Sequence, residues 1–301
     1  MSMSIIVMTG GTSGIGAVAV KQMLLTTDTR LLLGTRHKKV LGAETLDLDL
    51  ASLDSVRSFA SNIIKQVGTE DIDCLVLNAG LSLPNDTSIT SDGFEMAFGV
   101  NHLAHYLLLR LLLPKLAHGA TIVLTTSGAH NPKGKARMAP PIHADARLLA
   151  YPSQNTKRDK DPKTAGERAY TSSKLCNILT ARAISMLPEA QSLCLNIVAY
   201  SPGATPGTGL TRSNGLVNRA VWMILGSRIF KPLTPNMNSI KDAGNALASI
   251  SLGNIRPTSG RIYAALKRGQ ITWPDPSELA LRDDLMQAMW QDSAALVGMP
   301  K

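Results

Sequence analysis

Tyr170 and Lys174 lie four positions apart in Ala169-Tyr170-Thr171-Ser172-Ser173-Lys174. On a helix that spacing puts the phenol and the ammonium on one face. An unperturbed tyrosine ionises near pH ~10, and bringing it to about 7 takes roughly 4 kcal/mol of preferential stabilisation of the phenolate. A neighbouring ammonium is one source of that stabilisation, which would make the pair a proton donor and acceptor near neutrality. The same residues at this spacing also occur on solvated helix faces, so the pair takes its meaning from what lies upstream.

Upstream, the apolar run Ser4-Ile5-Ile6-Val7-Met8-Thr9 leads into Gly10-Gly11-Thr12-Ser13-Gly14-Ile15-Gly16 and then a helical pattern from Ala17 to Leu25. Strand, glycine turn and helix start together present backbone N–H groups and a positive helix end to a pyrophosphate. A Cβ in the turn would block it and hold the phosphate away from the backbone. The spacing is Thr-Gly-x-x-x-Gly-x-Gly, not the Gly-x-Gly-x-x-Gly of the general dinucleotide fingerprint. A tight connection with no ligand is the plainer reading of such a turn, but its place after the first strand favours a cofactor.

A second strand, Arg30-Leu31-Leu32-Leu33-Gly34-Thr35, ends at Arg36, twenty residues after Gly16. An NAD-binding chain carries an acid about there to hold the ribose 2′-hydroxyl. Here the segment is Thr35-Arg36-His37-Lys38-Lys39, without an acid. A guanidinium pairs with a 2′-phosphate that a carboxylate would repel, so NADP(H) is expected over NAD(H). A basic turn facing water is the alternative.

Thr9 to Gly16, Asn78-Ala79-Gly80, Asn101, Ser127, Tyr170 to Lys174 and Pro202-Gly203 stand in an order and spacing that resembles the short-chain dehydrogenase/reductase family over nearly the whole chain. The resemblance implies an enzyme in which Ser127 hydrogen-bonds the substrate oxygen and Tyr170 is the general acid and base. Lys174 would lower the tyrosine pKa and grip the nicotinamide ribose, while Asn101 would hold a water in a proton relay. It implies cofactor contacts from Gly10, Thr12, Ser13, Gly14, Ile15, Gly16, Arg36, Asp49, Leu50, Asn78, Ala79, Gly80, Tyr170, Lys174, Pro202, Gly203, Thr205 and Thr208. Asp49 matches the acid beside the adenine ring. Thr208 stands for a threonine that the family places one position earlier, where this chain has Gly207.

Further passages resemble the branch holding retinol dehydrogenases and light-dependent protochlorophyllide oxidoreductases. They are Ser173 to Thr180, Gly207 to Arg212, Met289-Trp290-Gln291 and Ser127-Gly128-Ala129-His130. The protochlorophyllide enzymes carry a cysteine directly after the Pro-Gly, where this chain has Ala204, and another between the serine and the tyrosine. No cysteine lies between Cys74 and Cys176.

These residues need a scaffold. Strand patterns near 4–9, 30–35, 44–48, 72–77, 120–126 and 193–200 alternate with helical ones, a late strand falls at 260–265, and an amphipathic helix spans about Pro276 to Val297. That alternation predicts an α/β fold, a single doubly wound Rossmann-type domain over 1–301 with a parallel sheet and a C-terminal helical extension. With 301 residues and 44% hydrophobic content, one substantial core is expected. No stretch reads as a membrane span. A first strand at Ser4 leaves no room for a signal peptide, and Cys74, Cys176 and Cys194 fit reduced thiols in a cytoplasmic protein. No metal site is visible in the sequence.

The net charge of +9 is uneven: residues 131–166 hold eight basic and three acidic residues. This Pro-rich stretch, taken as an insertion over 131–167, either is solvated or forms a basic rim for an anionic substrate or an acidic carrier protein. It lacks the stacking aromatics of a nucleic-acid binder. A substrate lid is expected over 205–238, where Leu216, Val217, Trp222, Ile224, Leu225, Ile229 and Phe230 would roof a bulky apolar substrate. Trp222 and Phe230 could instead rest on a membrane surface. The expected activity is NADP-dependent hydride transfer to or from a carbonyl or secondary alcohol of a small molecule. The alternatives are a C=C reductase and a non-catalytic NADP-sensing protein. Oligomeric state is open.

Overall fold

Along β1 (Ser4–Thr9), Ile5 and Val7 enter one apolar cluster while Ile6 and Met8 enter another. Successive strand residues point to opposite faces, so a run apolar at every position belongs to a strand covered on both sides. The computed structural model describes residues 3–26, 28–134, 136–206, 237–258 and 260–300. In it β1 joins β2 (Thr29–Thr35), β3 (Glu44–Asp47), β4 (Ile72–Leu77), β5 (Leu116–Thr125), β6 (Asn196–Ser201), β7 (Tyr263–Lys267) and β8 (Gln270–Thr272). The strand order is β3-β2-β1-β4-β5-β6-β7-β8. The first seven are parallel, and β8 pairs antiparallel with β7. The order reverses between β1 and β4, the place where open α/β sheets form a binding crevice at their carboxyl ends.

The helices Gly14–Met23 and Ile240–Ser251 cover one face. They meet so closely that a Cβ on Gly244 would lie 2.4 Å from Val18 Cβ. On the other face lie Leu53–Val67, the helical run through Ala104–Leu112, and Pro162–Ser185, with the C-terminal helix Asp283–Leu296 behind them. The stretch Met96–Lys115 has the length and mean hydropathy, 1.3, of a membrane span, but 83% of its apolar window is buried inside the fold. Its leucines are core leucines.

Several expectations shift. β5 begins at Leu116, not at 120, while β6 begins at Asn196, because Cys194 takes a positive φ of 51° before it. The late strand lies at Tyr263–Lys267, and it does not end the sheet. Arg268 (φ 51°) and Gly269 (φ 78°) turn the chain into β8, a two-residue hairpin absent from the sequence reading. The C-terminal helix is split into Glu278–Leu281 and Asp283–Leu296 by extended Arg282. Its buried face is Met286, Met289, Ser293 and Ala294, with Leu279, Leu285 and Leu296 only partly buried against the core.

The basic stretch is more ordered than its composition suggests. A short helix, Ala146–Ala150, starts at the Asp145 cap. The last residues of the stretch already form the first turn of Pro162–Ser185, where Asp161 accepts the Thr164 N–H at 3.0 Å. Arg158 pairs with the nearly buried Asp86, and Lys133 with Glu278 at the surface. Arg137, Arg147, Lys157 and Lys160 are exposed.

Candidate active site

Thr9 ends β1, and its hydroxyl oxygen accepts the N–H groups of Asn78 (3.0 Å) and Ala79 (3.1 Å) at the end of β4. The Asn78 amide completes the clasp by donating to Gly10 O at 3.0 Å and accepting from Thr125 Oγ1 at 3.1 Å. Here glycine is a packing requirement. A Cβ on Gly10 would sit 2.7 Å from Ala79 backbone atoms, and one on Gly16 would lie 1.9 Å from Gly10 O.

The helix that follows starts at Gly14. Ser13 precedes it in extended conformation with no side-chain cap, and no acid stands in its first turn. Its leading N–H groups and positive end therefore face the crevice uncompensated by the chain, the condition under which a helix start takes a phosphate. Thr12, Gly14 and Ile15 are half-buried at the same turn and Ser13 is exposed. At the end of β2, Arg36, His37, Lys38 and Lys39 are all exposed, and Thr35 Oγ1 donates to Lys38 O at 2.9 Å to hold the turn. Asp49 is exposed, with Oδ1 accepting the Ala51 N–H at 3.0 Å, and Leu50 packs on the core beside it. These residues fit a nicotinamide dinucleotide.

Across the crevice, Tyr170 and Lys174 sit mid-helix in Pro162–Ser185, both buried. Lys174 Nζ donates to Thr125 O at 3.0 Å and lies 5.9 Å from the centre of the Tyr170 ring. Gly80 lies against this pair: a Cβ there would be 3.1 Å from Lys174 Nζ and 3.2 Å from Asn101 Oδ1. Asn101 falls in a π turn, Gly99–Leu103, of the core helix. Its amide accepts from Leu81 N (2.8 Å) and donates to Leu81 O and Ser173 Oγ (both 2.9 Å). These bonds tie the turn after Gly80 to the Tyr-Lys helix.

Burial pushes the Tyr170 phenol up, and the neighbouring Ser127 hydroxyl opposes the rise. Lys174 is itself lowered to about 8 by burial. Its ammonium is directed at the main-chain carbonyl of Thr125.

On the far side, Pro202-Gly203 follows β6. Gly203 has φ +69°, and Asn238 Nδ2 donates to Pro202 O (3.0 Å) and Leu266 O (2.8 Å). Thr205 Oγ1 donates to Pro202 O at 3.1 Å, closing its own turn. Thr208 and the lid stretch Leu216 to Phe230 lie outside the described residues.

Asn238 and His105 were missed by sequence reasoning, and His130 was noted only as the end of Ser127-Gly128-Ala129-His130. His105 links Thr9 Oγ1 (2.9 Å) to Asn101 O (3.2 Å), and burial together with the Lys174 charge holds it neutral, near 3. The contacts of these side chains with Thr9, Pro202 and Ser277 span long stretches of chain and leave no local signal.

The family model for short chain dehydrogenase matches residues 4–139. Protochlorophyllide reductase B of Oryza sativa subsp. japonica is 29% identical over 317 residues, covering 97% of this chain and 77% of that protein. Retinol dehydrogenase 13 of Homo sapiens is 32% identical over 255 residues, 84% of this chain and 68% of the relative. Among solved structures, an uncharacterised protein from Mycobacterium Paratuberculosis superposes with TM-score 0.68 at 24% identity, covering 99% of this chain and 94% of its own. The NADPH-bound carbonyl reductase from chicken fatty liver gives 0.60 at 16% identity, covering 91% and 100%. The two structures share the fold.

Proposed function

The chain belongs to the short-chain dehydrogenase family, and on that footing we propose that it is an NADP-dependent oxidoreductase acting on a carbonyl or secondary alcohol of a bulky apolar substrate. The observation that carries the reading is the convergence of Lys174 Nζ and Asn101 Oδ1 on Gly80, with the Ser127 hydroxyl near enough to the Tyr170 phenol to act on its acidity. The nicotinamide, when bound, supplies or takes the hydride.

In the reducing direction, Ser127 and Tyr170 donate hydrogen bonds to the substrate oxygen, and Tyr170 gives it a proton. Burial disfavours the phenolate left behind, so a positive charge nearby is what the step needs. Lys174, at about 8, is cationic at neutral pH and waits within the same pocket. Thr125 O and the Gly80 turn hold its ammonium in place. The Gly10 to Gly16 turn and the helix start at Gly14 take the pyrophosphate. Arg36 and its basic neighbours pair with the 2′-phosphate. The apolar sequence Leu216 to Phe230 supports a bulky apolar substrate.

A second reading, hydride addition to a C=C bond, is favoured by relatives named protochlorophyllide reductase that match 97–98% of this chain. Ala204, and the absence of cysteine between Cys74 and Cys176, speak against that chemistry here. Single-turnover transfer from stereospecifically deuterated NADPH to a panel of ketones, aldehydes and conjugated enones tests the proposal. Deuterium on a carbinol carbon is the expected result, and label on an alkene-derived carbon selects the second reading. Tight NADPH binding with no transfer across the panel would leave a cofactor sensor.

A further inference from the structure

His130 is fully buried between Ser127 and the C-terminal segment. Its Nδ1 lies 2.7 Å from Ser127 O, and its Nε2 lies 3.1 Å from the main-chain nitrogen of Ser277. A carbonyl only accepts and a peptide N–H only donates, so the partners dictate the ring's state: proton on Nδ1, lone pair on Nε2. A doubly protonated ring would set an N–H against the Ser277 N–H. Tyr263 meets the ring edge-on, with centroids 5.0 Å apart, and burial is the main influence holding the imidazole neutral.

The serine is fixed from several directions. The His130 ring and the His130 main-chain N–H (3.2 Å) both donate to Ser127 O. Ser127 Oγ accepts the Ala129 N–H at 3.2 Å, leaving the hydroxyl hydrogen and one lone pair for Tyr170 or a substrate oxygen. The C-terminal segment that supplies Ser277 is in turn anchored on the Tyr-Lys helix, where Arg182 donates to Ala280 O at 2.8 Å and pairs with Asp283. An outer tie, Lys133 to Glu278 at 2.6 Å, runs parallel to the buried one.

We propose that His130 is a positioning residue: in its Nδ1-protonated form it transmits the placement of the C-terminal segment to Ser127 and so aims the serine hydroxyl at Tyr170. This rests on the reading of Ser127 and Tyr170 as the pair that handles the substrate oxygen. The device closes a ring from the Tyr-Lys helix through Arg182, the segment at Ser277, His130 and Ser127 back to Tyr170.

The test is NMR on the full chain, with ¹⁵N-labelled histidine and ¹³Cζ-labelled tyrosine. In the unsubstituted protein, His130 should show a protonated Nδ1 and an unprotonated Nε2, unchanged across neutral pH; the opposite tautomer overturns the proposal without any variant having to fold. The Tyr170 Cζ signal, assigned by its loss in Tyr170→Phe, reports its hydrogen bond. Ser127→Ala should move that signal, His130→Phe should move it in the same direction, and His130→Gln, which can both donate and accept, should return it toward the unsubstituted position. A Tyr170 signal that responds to Ser127→Ala but not to His130→Phe sinks the positioning role alone. One that ignores Ser127→Ala sinks the Ser127–Tyr170 reading and this inference with it.

Discussion

The two walls of the crevice are built in different ways. The nucleotide side, from Thr9 through Gly16 to Asn78-Ala79-Gly80, is an assembly of backbone: glycines that a Cβ would drive into a neighbouring main chain, and a threonine accepting two amide N–H groups. The side proposed for the substrate depends on side chains from segments far apart in the chain, as where His130, beside Ser127, meets Ser277. Backbone approach restricts residue type at each position, so the first wall carries a short local motif. Side-chain contacts at long sequence separation impose no such pattern. A fold of this kind can therefore keep its cofactor wall while its substrate wall is rebuilt.

If the walls are separable in function, the largest effect should come from the residue that passes the proton. Tyr170→Phe should lower single-turnover hydride transfer by ~10²–10⁴, the usual loss with an acid–base group. NADPH affinity, read by fluorescence titration, should stay as it was. Near-normal turnover would remove Tyr170 from the mechanism. An equal loss of affinity would show that the walls are one unit after all.

The converse variant lies on the nucleotide side. Arg36→Ala should weaken NADPH about tenfold or more, the value of a charge-assisted hydrogen bond being ~1.5–3 kcal/mol, and leave NADH binding and the transfer step unchanged. The exposed turn Arg36-His37-Lys38-Lys39 would prove a solvated face if both cofactors bind the variant equally well relative to the unsubstituted chain.

This contrast also explains what could be read in advance. The strand-turn-helix at Ser4 to Met23 and the Tyr170–Lys174 spacing were legible because backbone geometry and helical period restrict which residues can stand there. The start of the Tyr-Lys helix at Pro162 had a signal too, Asp161-Pro162 with Thr164 two residues on, masked by the charge and prolines around it. β8 had only Arg268-Gly269 to announce it. Nothing local marked Asn238 as the pin of the Pro202-Gly203 turn, because its partners Pro202 and Leu266 lie on two different strand ends.

The smallest expected effect concerns the joint between the walls. Glu95, 1% exposed, begins the run that carries Asn101, and its carboxylate accepts the N–H groups of Ala97 (2.9 Å) and Phe98 (2.7 Å). Its own N–H donates to Ala150 O at 2.8 Å, fastening the core helix to the basic stretch on the substrate side. Burial pushes this carboxyl from an ordinary 4.5 up to about 7, the two N–H bonds oppose the rise, and the Asp86 charge adds to it. The folded chain therefore holds the proton more tightly than the unfolded chain, and this contribution to stability declines as pH rises from about 4.5 to about 7. Glu95→Gln removes the titration and keeps an acceptor. Relative to the unsubstituted protein, its stability in urea should improve by on the order of 1 kcal/mol between pH 5 and pH 7.5. Parallel pH dependences would mean that the carboxyl ionises as freely in the fold as in water.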